Sequence, residues 1–256
     1  MEYEALFSIR GKKILLTGGT RGLGYGLAEG FLKAGAEVLI TGTSDKVFDA
    51  VKKLKEATGG TIHGLIMNLA ETEQIPEAYR QALACLGGRL DVLVNCAGIQ
   101  YRCPAAEFPL EAWDRVIRVN LSAVFQLSQL AAGTMLPHGG KIINIASMTS
   151  FFGSEGIPAY AASKGGIMQL TKALSNEWAG RGVQVTAIAP GYMETELTAN
   201  MKAFNPKQYE EVTGRIPMHR WGKAEDLQGL AIFLSSRASD YITGAIIPVD
   251  GGYLGK

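Results

Sequence analysis

A short apolar strand that leads through a glycine-rich turn into a helix constrains the fold of this chain more than any other feature. The strand covers residues 13–17 (Lys-Ile-Leu-Leu-Thr), and the turn covers residues 18–24 (Gly-Gly-Thr-Arg-Gly-Leu-Gly). A helical pattern follows and stops at Gly35. Such a turn presents backbone N–H groups at a helix N-terminus, where a dinucleotide pyrophosphate binds. The residues predicted to bind this part of a cofactor are Gly18, Thr20, Arg21, Gly22, Leu23 and Gly24.

The same alternation of strand and helix continues along the chain. Apolar runs predict strands at residues 13–17, 37–41, 62–68, 91–94, 141–146, 184–189 and 245–249. Helical patterns lie between them, among them residues 46–57, 75–86, 110–135 and 225–235. This order predicts an α/β fold, a Rossmann-type doubly wound parallel β-sheet of about seven strands flanked by helices. Residues 1–256 are predicted to form a single domain, with the less regular residues 196–218 as a substrate lid.

The end of the second strand bears on the choice of nicotinamide cofactor. A carboxylate there accepts hydrogen bonds from both ribose hydroxyls and repels a 2′-phosphate. This chain has Gly42-Thr43-Ser44 at that place, with the first carboxylate at Asp45, and Arg21 is placed to pair with a phosphate. The sequence therefore favours NADP(H), while Asp45 leaves NAD(H) possible.

Other strand ends also carry predicted cofactor contacts, because ligands bind at the carboxyl ends of parallel strands. Small residues after the fourth strand allow close approach of the backbone to a ligand. After the third strand, Asn68 either contacts the adenine or caps the turn. The turn after the sixth strand is predicted to lie against the nicotinamide. The further predicted cofactor residues are Thr43, Ser44, Asn68, Leu69, Asn95, Ala97, Gly98, Pro190, Gly191, Met193 and Thr195.

The sequence Tyr160-Ala-Ala-Ser-Lys164 places a phenol and an ammonium one helical turn apart on the same face. A free tyrosine has a pKa of about 10, and a nearby lysine is expected to lower it toward the working range of an acid or base. Ser147 follows the fifth strand and is placed to hydrogen-bond the same substrate oxygen. Asn120, among apolar neighbours, either holds a water in a proton path or satisfies a backbone group at a helix irregularity.

Composition excludes several other function classes. The formal net charge of +1 provides no field for nucleic acid or a lipid surface, and no apolar run reaches the roughly 18 residues of a membrane span. Cys85, Cys96 and Cys103 show no C-x-x-C spacing, and the histidines are scattered, so no metal is expected. We expect a cytoplasmic protein with a small-molecule substrate.

Together the motifs resemble those of the short-chain dehydrogenase/reductase family, in its order and over essentially the full length. The matching motifs are Thr17-Gly-x-x-x-Gly22-x-Gly24, Asn95-x-Ala-Gly98, Asn120, Ser147, Tyr160-x-x-x-Lys164 and Pro190-Gly191. The resemblance implies that Tyr160 is the general acid/base and that Lys164 lowers its pKa and binds the nicotinamide ribose. It also implies that Ser147 polarises the carbonyl and that Asn120 holds the water of a proton relay. Tetramers are usual in this family, which implies a homotetramer with residues 231–252 at an interface.

One residue departs from the family pattern. Cys96 stands where the family usually has a second asparagine, and its side chain is expected to pack under the cofactor loop.

Three stretches resemble the gluconate 5-dehydrogenase and 2-deoxy-gluconate 3-dehydrogenase branch, namely residues 97–102, 215–222 and 231–244. This resemblance implies a keto or hydroxy sugar acid as substrate. Its carboxylate needs a cation, for which Arg102 is the first candidate and Arg220 the second. Tyr192, with Ser147 and Tyr160, completes the predicted substrate contacts. A 3-oxoacyl-[acyl-carrier-protein] reductase and a non-catalytic dinucleotide sensor on the same fold are the competing hypotheses.

Overall fold

The alternation of strands and helices produces one parallel sheet in the computed structural model, which describes residues 3–195 and 205–255. The strand order is β3-β2-β1-β4-β5-β6-β7, and every neighbouring pair is parallel. The strands are β1 Lys13–Leu16, β2 Glu37–Gly42, β3 Ile62–Ile66, β4 Val92–Asn95, β5 Gly140–Ile145, β6 Val183–Pro190 and β7 Ile246–Val249. The predicted doubly wound parallel sheet is confirmed. Its order reverses between β1 and β4, where such sheets open a crevice for ligands.

Helices cover both faces of the sheet. They are α1 Tyr3–Phe7, α2 Gly22–Lys33, α3 Lys46–Thr58, α4 Ile75–Cys85, α5 Leu110–Ile117, α6 Ala123–Met135, α7 Pro158–Trp178, α8 Pro206–Arg215 and α9 Glu225–Ser235. Along β1, Ile14 and Leu16 face the core layer of α2, α3 and α9, whereas Leu15 faces the layer of α4, α6 and α7. Both faces are buried, which explains why the strands read as continuous apolar runs. No helix in the described ranges is long and apolar enough to cross a membrane.

The predicted helical pattern over residues 110–135 is present, but one wider turn interrupts it. A π-helical turn, Arg118–Ser122, separates α5 from α6. The turn contains Asn120, whose side chain bonds both backbone groups of Ile99 at 2.9 Å. A side chain that anchors a neighbouring loop favours the wider turn, and apolar periodicity does not reveal it.

The predicted lid is described only in part. Residues 196–204 lie outside the described residues, whereas residues 205–218 contain α8, which the sequence pattern did not predict. Asn205 caps this helix by accepting a hydrogen bond from the backbone N–H of Gln208 at 3.2 Å. Val212 and Ile216 bury its apolar side against Trp221.

Helices α2 and α9 pack in direct contact through a glycine. A Cβ atom at Gly26 would overlap the Cβ of Ala224, the residue before α9. The Gln228 side chain donates a hydrogen bond to the carbonyl of Gly26 at 2.8 Å. Gly229 lies on the exposed side of α9 and has open space around its Cα.

We predict opposite effects of alanine at these two glycines. Gly229→Ala should raise the free energy of unfolding by about 0.4–1 kcal/mol, because alanine is the better helix former. Gly26→Ala makes the same change in propensity but should lower that free energy by about 1–3 kcal/mol, because the helices must separate. Equilibrium denaturation of both variants tests this, and equal changes would contradict the proposed packing constraint.

Candidate active site

Two turns at the carboxyl edge of the sheet touch each other at the switch point. A Cβ placed on Gly18 would lie 2.8 Å from the Cα of Ala97, so the turn after β1 lies directly against the turn after β4. The Thr17 hydroxyl accepts hydrogen bonds from the backbone N–H groups of Cys96 and Ala97, each at 3.1 Å. Thr17 lies in the glycine-rich motif identified from the sequence, but no role was predicted for its hydroxyl; its position at the strand end was the available signal.

The glycine-rich turn lies at the beginning of α2. Gly18 and Gly22 have φ angles of 75° and 56°, which favour glycine. A side chain at Gly24 would overlap the carbonyl of Gly18. The helix N-terminus therefore approaches the turn closely and leaves its N–H groups available to an anion. Thr195 lies across from it, since its methyl group is 3.9 Å from a Cβ placed on Gly22.

The end of β2 brings the candidate phosphate-reading residues beside this turn. A Cβ on Gly42 would lie 2.5 Å from the methyl group of Thr20, so the two segments are in contact. Arg21, Thr43 and Ser44 are all exposed. Within the described ranges, Arg21 has no ion pair or hydrogen bond from its side chain.

Two predicted cofactor residues use their side chains within the protein. Asn68 donates to Glu71 at 2.7 Å and accepts from the backbone N–H of Ala70 at 3.1 Å, so the structure favours its turn-capping alternative. Asn95 is buried, and its amide donates to Asn144 at 2.9 Å. It therefore links β4 to β5. Because both side chains are hydrogen-bonded within the protein, the geometry does not favour their direct contact with a cofactor.

The residues predicted to be catalytic come together at the ends of β5 and α7. Ser147 follows β5; its hydroxyl accepts a hydrogen bond from the backbone N–H of Thr149 at 3.1 Å and lies close enough to Tyr160 to lower the pKa of that phenol. Pro158 occupies the first position of α7 and fixes the start of that helix. One turn further along, the Lys164 ammonium lies 5.7 Å from the centre of the Tyr160 ring. The expected single-face arrangement of the phenol and the ammonium is present.

Asn120 is connected to Tyr160 through a chain of hydrogen bonds. Its side chain bonds the backbone of Ile99 and also donates a hydrogen bond to the Ser163 hydroxyl at 3.2 Å. That hydroxyl donates to the Tyr160 carbonyl at 2.8 Å. The structure thus realises the second alternative for Asn120, satisfaction of backbone groups at a helix irregularity. It positions the loop after β4 against the helix that carries the tyrosine.

The direction of the Tyr160 pKa differs from the expectation. Burial raises the pKa of Tyr160, and the nearby Ser147 hydroxyl offsets only part of this effect. Burial also lowers the pKa of Lys164 to about 8. The Lys164 ammonium donates to the Ile145 carbonyl at 2.6 Å and is 5% exposed. Burial thus sets the direction of the Tyr160 pKa in this structure, opposite to the lowering expected from Lys164.

Cys96 lies under the glycine-rich turn, in agreement with the expectation. Its sulfur would be 3.4 Å from a Cβ placed on Gly24. Burial raises the pKa of the Cys96 thiol to about 11, which keeps it protonated and unreactive. The residue therefore fills space between α2 and β4.

The predicted substrate arginines differ in how they are paired. Arg220 forms a two-point ion pair with Asp226, with distances of 2.7 and 2.8 Å, and this contact holds the pKa of Asp226 at about 2. We therefore correct the assignment of Arg220 as a carboxylate ligand. Arg102 is exposed and makes one long hydrogen bond, to the Glu155 carbonyl at 3.3 Å.

A cavity of about 640 Å³ lies beside Tyr192 and contains residues that sequence reasoning missed. Tyr192 contacts the rings of Trp221 and Tyr253, with ring centres 5.2 and 5.5 Å apart. The cavity is lined by Phe151, Phe152, Arg215, Pro248, Tyr253 and Leu254. The available signal was positional: Tyr253 follows the carboxyl end of β7, and Arg215 ends the predicted lid helix.

Comparisons with known proteins find similar sequences and structures that cover nearly the whole chain. A family model described as enoyl-(acyl carrier protein) reductase matches residues 18–254. The chain is 43% identical over 251 residues to the 2-dehydro-3-deoxy-D-gluconate 5-dehydrogenase of Bacillus subtilis (strain 168), covering 98% of this chain and 97% of the relative. It is 42% identical over 254 residues to the 5-keto-D-gluconate 5-reductase of Escherichia coli (strain K12), covering 97% and 98%.

The solved structures include a similar protein with bound ligands. The crystal structure of a gluconate 5-dehydrogenase from Burkholderia cenocepacia J2315, in complex with NADP and tartrate, matches with a TM-score of 0.93 and 36% identity. The match covers 100% of both chains.

We predict that Lys164 lowers stability at neutral pH. Its pKa falls from 10.5 in the unfolded chain to about 8 in the folded one, so between these values the unfolded state binds more protons. Stability must therefore rise with pH in this window, and this residue alone should contribute about 2 kcal/mol between pH 7 and about pH 9.5. Below pH 8 the cost of the buried charge is present in full.

Lys164→Met should remove this rise and increase the free energy of unfolding at pH 7 by about 1–3 kcal/mol. Lys172→Met, an exposed lysine on the same helix, is the matched control and should change neither quantity appreciably. Urea denaturation at the two pH values measures both. An unchanged pH dependence in Lys164→Met would show that the lysine is not the source.

Proposed function

The chain belongs to the short-chain dehydrogenase/reductase family, and we propose that it is an NADP(H)-dependent oxidoreductase that interconverts a keto sugar acid and its hydroxy form. The observation that carries this proposal is the meeting of Ser147, Tyr160, Lys164 and Asn120 at the edge of the sheet where the two ligand-binding turns touch. The proposed catalytic side chains thus lie beside the two turns proposed to bind the cofactor.

The glycine-rich turn fits a dinucleotide, because side chains at Gly18 and Gly24 would collide with neighbouring backbone. Arg21, Thr43 and Ser44 would hold the 2′-phosphate, and Ala97, Gly98 and the turn after β6 would line the remaining surface. When bound, the nicotinamide supplies a hydride to the substrate carbon or accepts one from it. Arg21 is unpaired within the described residues, and no carboxylate stands between the end of β2 and Asp45; both observations support NADP(H).

The proton moves between Tyr160 and the substrate oxygen. In the reduction, the carbonyl carbon gains a hydride and its oxygen gains the Tyr160 proton, so the carbonyl becomes a secondary alcohol; the oxidation reverses both transfers. Ser147 hydrogen-bonds the same oxygen and orients it. A raised Tyr160 pKa keeps the phenol protonated at neutral pH, which suits the proton-donor step of the reduction. Lys164 provides the nearby positive charge that stabilises the phenolate after transfer.

A sugar acid agrees with the relatives and with the cavity. The Bacillus and Escherichia relatives are named for keto-gluconate substrates, and the Burkholderia protein holds tartrate, a hydroxy acid with two carboxylates. The volume of about 640 Å³ lies in the range of small-molecule sites. Arg102 is exposed, donates a hydrogen bond to the Glu155 carbonyl and adds positive charge on the loop after β4.

The description of the matching family model keeps reductases of carrier-protein thioesters as a second candidate. An acidic carrier needs a basic docking surface, and the chain has a net charge of +1. A non-catalytic sensor is disfavoured because all four catalytic positions are filled and connected.

We further propose a cytoplasmic homotetramer with residues 231–252 in an interface. Strand β7 is an edge strand, and Tyr241 beside it is fully exposed, which leaves an unpaired edge and an aromatic surface available to another copy.

Tyr160→Phe should lower kcat by about 10²–10⁴-fold, because it removes the proton donor. NADPH affinity, measured by fluorescence titration, should change by no more than about threefold, since the phenol makes one of many contacts. Tyr79→Phe, which removes a buried hydroxyl bonded to Thr134 outside the site, is the control and should keep its activity. Substantial turnover by Tyr160→Phe would exclude the acid/base assignment.

The proposed function is tested by a spectrophotometric assay of NADPH and NADH, each with 5-keto-gluconate, its 3-deoxy and 2,5-diketo analogues, and an acetoacetyl thioester. We expect turnover of at least one keto sugar acid, with NADPH preferred by about tenfold or more. A preference for NADH would assign ribose recognition to Asp45 or the backbone. Reduction of the thioester alone would replace the proposal by the second candidate.

A further inference from the structure

Arg215 is the cation that lines the cavity beside Tyr192, and its position is fixed by an aromatic ring. The carbon centre of its guanidinium lies 5.1 Å from the centre of the Tyr253 ring. A cation–aromatic contact of this kind holds the side chain in place without a hydrogen bond to a protein acceptor. Among the residues that the structure describes, none accepts a hydrogen bond from this guanidinium, so its five N–H donors are available to a ligand.

Hydrogen bonds fix the turn that carries Tyr253. The two carboxylate oxygens of Asp250 accept hydrogen bonds from the backbone N–H groups of Gly252 and Leu254, each at 2.9 Å. Gly251 and Gly252 have φ angles of 64° and 91°.

The same turn docks on the residues that follow Arg215. A Cβ placed on Gly251 would lie 2.8 Å from a methyl carbon of Ile216, and one on Gly252 would lie 3.0 Å from the ring of Pro217. The backbone N–H of Met218 also donates to the Gly251 carbonyl at 3.1 Å. Two segments that are distant in sequence are thereby fixed with Arg215 over Tyr253.

The charge around the cavity is unbalanced. In the part of the chain that the structure describes, no carboxylate pairs with Arg215, whereas the nearby Arg220 is neutralised by Asp226. Burial raises the pKa of Tyr192, and the charges of both Arg215 and Arg102 act on it in the opposite direction. Tyr192 thus lies within the field of two arginines, one from the loop after β4 and one from α8. Such a site attracts an anion.

We propose that Arg215 is the specificity-determining residue that binds the substrate carboxylate, and that the turn of residues 250–254 is its positioning element. This inference rests on the proposed function and specifies which end of the sugar acid enters the cavity. The carboxylate lies at Arg215, the chain of hydroxyl-bearing carbons passes Tyr192, and the reacting carbon lies at Ser147 and Tyr160. Arg102, on the loop after β4, is left to contact a hydroxyl group or the opposite end of a dicarboxylate.

The test compares a keto sugar acid with its neutral amide, because the two differ by one charge and little in shape. The substrates are 5-keto-gluconate and 5-keto-gluconamide, with NADPH saturating. In Arg215→Gln we expect KM for the acid to rise about tenfold or more and KM for the amide to change by less than about twofold. KM for NADPH should stay unchanged. Arg215→Lys keeps the charge and should restore part of the difference, since it lacks the planar fork.

Arg181→Gln is the matched control, because it removes one exposed positive charge at the other edge of the sheet, before β6 begins. It should behave as the unaltered protein does toward both substrates. A general charge effect would appear equally in this control and would overturn the inference. Equal changes for acid and amide in Arg215→Gln would overturn it as well.

Arg102→Gln distinguishes the two candidate anchors. If only Arg102→Gln separates acid from amide, Arg102 is the anchor and the assignment of Arg215 is wrong. If the unaltered protein reduces neither keto sugar compound, the proposed function fails before the question of the anchor arises, so the two failures are distinguishable.

Discussion

The hydroxyl of Thr17 accepts hydrogen bonds from two backbone N–H groups in the turn after β4. The candidate site is arranged around this contact between the turns after β1 and β4. Parallel pairing of β1 with β4 brings the two strand ends to one edge, and the hydroxyl then sets how far apart their turns lie. With Gly18 in contact with Ala97, a dinucleotide can bind across both turns, and Ile99 is placed where Asn120 can bond it. Geometry at one strand end thus determines positions on α2, α7 and the π-helical turn.

The catalytic pair illustrates a conflict between stability and function. An ammonium at 5% exposure with a pKa of about 8 is unfavourable in a folded protein, and the hydrogen bond to Ile145 compensates only part of that burial. Burial also raises the pKa of Tyr160, which favours the protonated phenol required by the proposed reduction. The tertiary structure around α7 therefore tolerates a local cost in stability at the residues proposed to transfer the proton.

Much of the fold and part of the site could be predicted from the sequence, for physical reasons. Apolar runs separated by helical patterns determine a parallel sheet, and a parallel sheet places the residues after each strand at one edge, so Gly18, Ser147 and Gly191 could be assigned by position. Side-chain partners could not be read in this way. For Asn68, adenine contact and turn capping were both open, and its side chain bonds Glu71 in the same turn. Asn95 was expected at the cofactor, but its amide bonds Asn144, whose proximity the sequence order does not reveal. Arg220 failed for the same reason, and Arg215 was missed because its aromatic partner lies 38 residues further along the chain.

The docking of the turn of residues 250–254 on residues 216–218 has a consequence for how substrate range can diverge. The contacts that shape the outer cavity come from α8 and the turn after β7, whereas the glycine-rich turn, Ser147 and Tyr160 lie on other elements. Under the proposed assignment, substitutions in the cavity beside Tyr192 would change which substrates bind and leave Ser147 and Tyr160 in place. Gly251 and Gly252 would then restrict how far the turn after β7 can diverge, because side chains there would collide with Ile216 and Pro217.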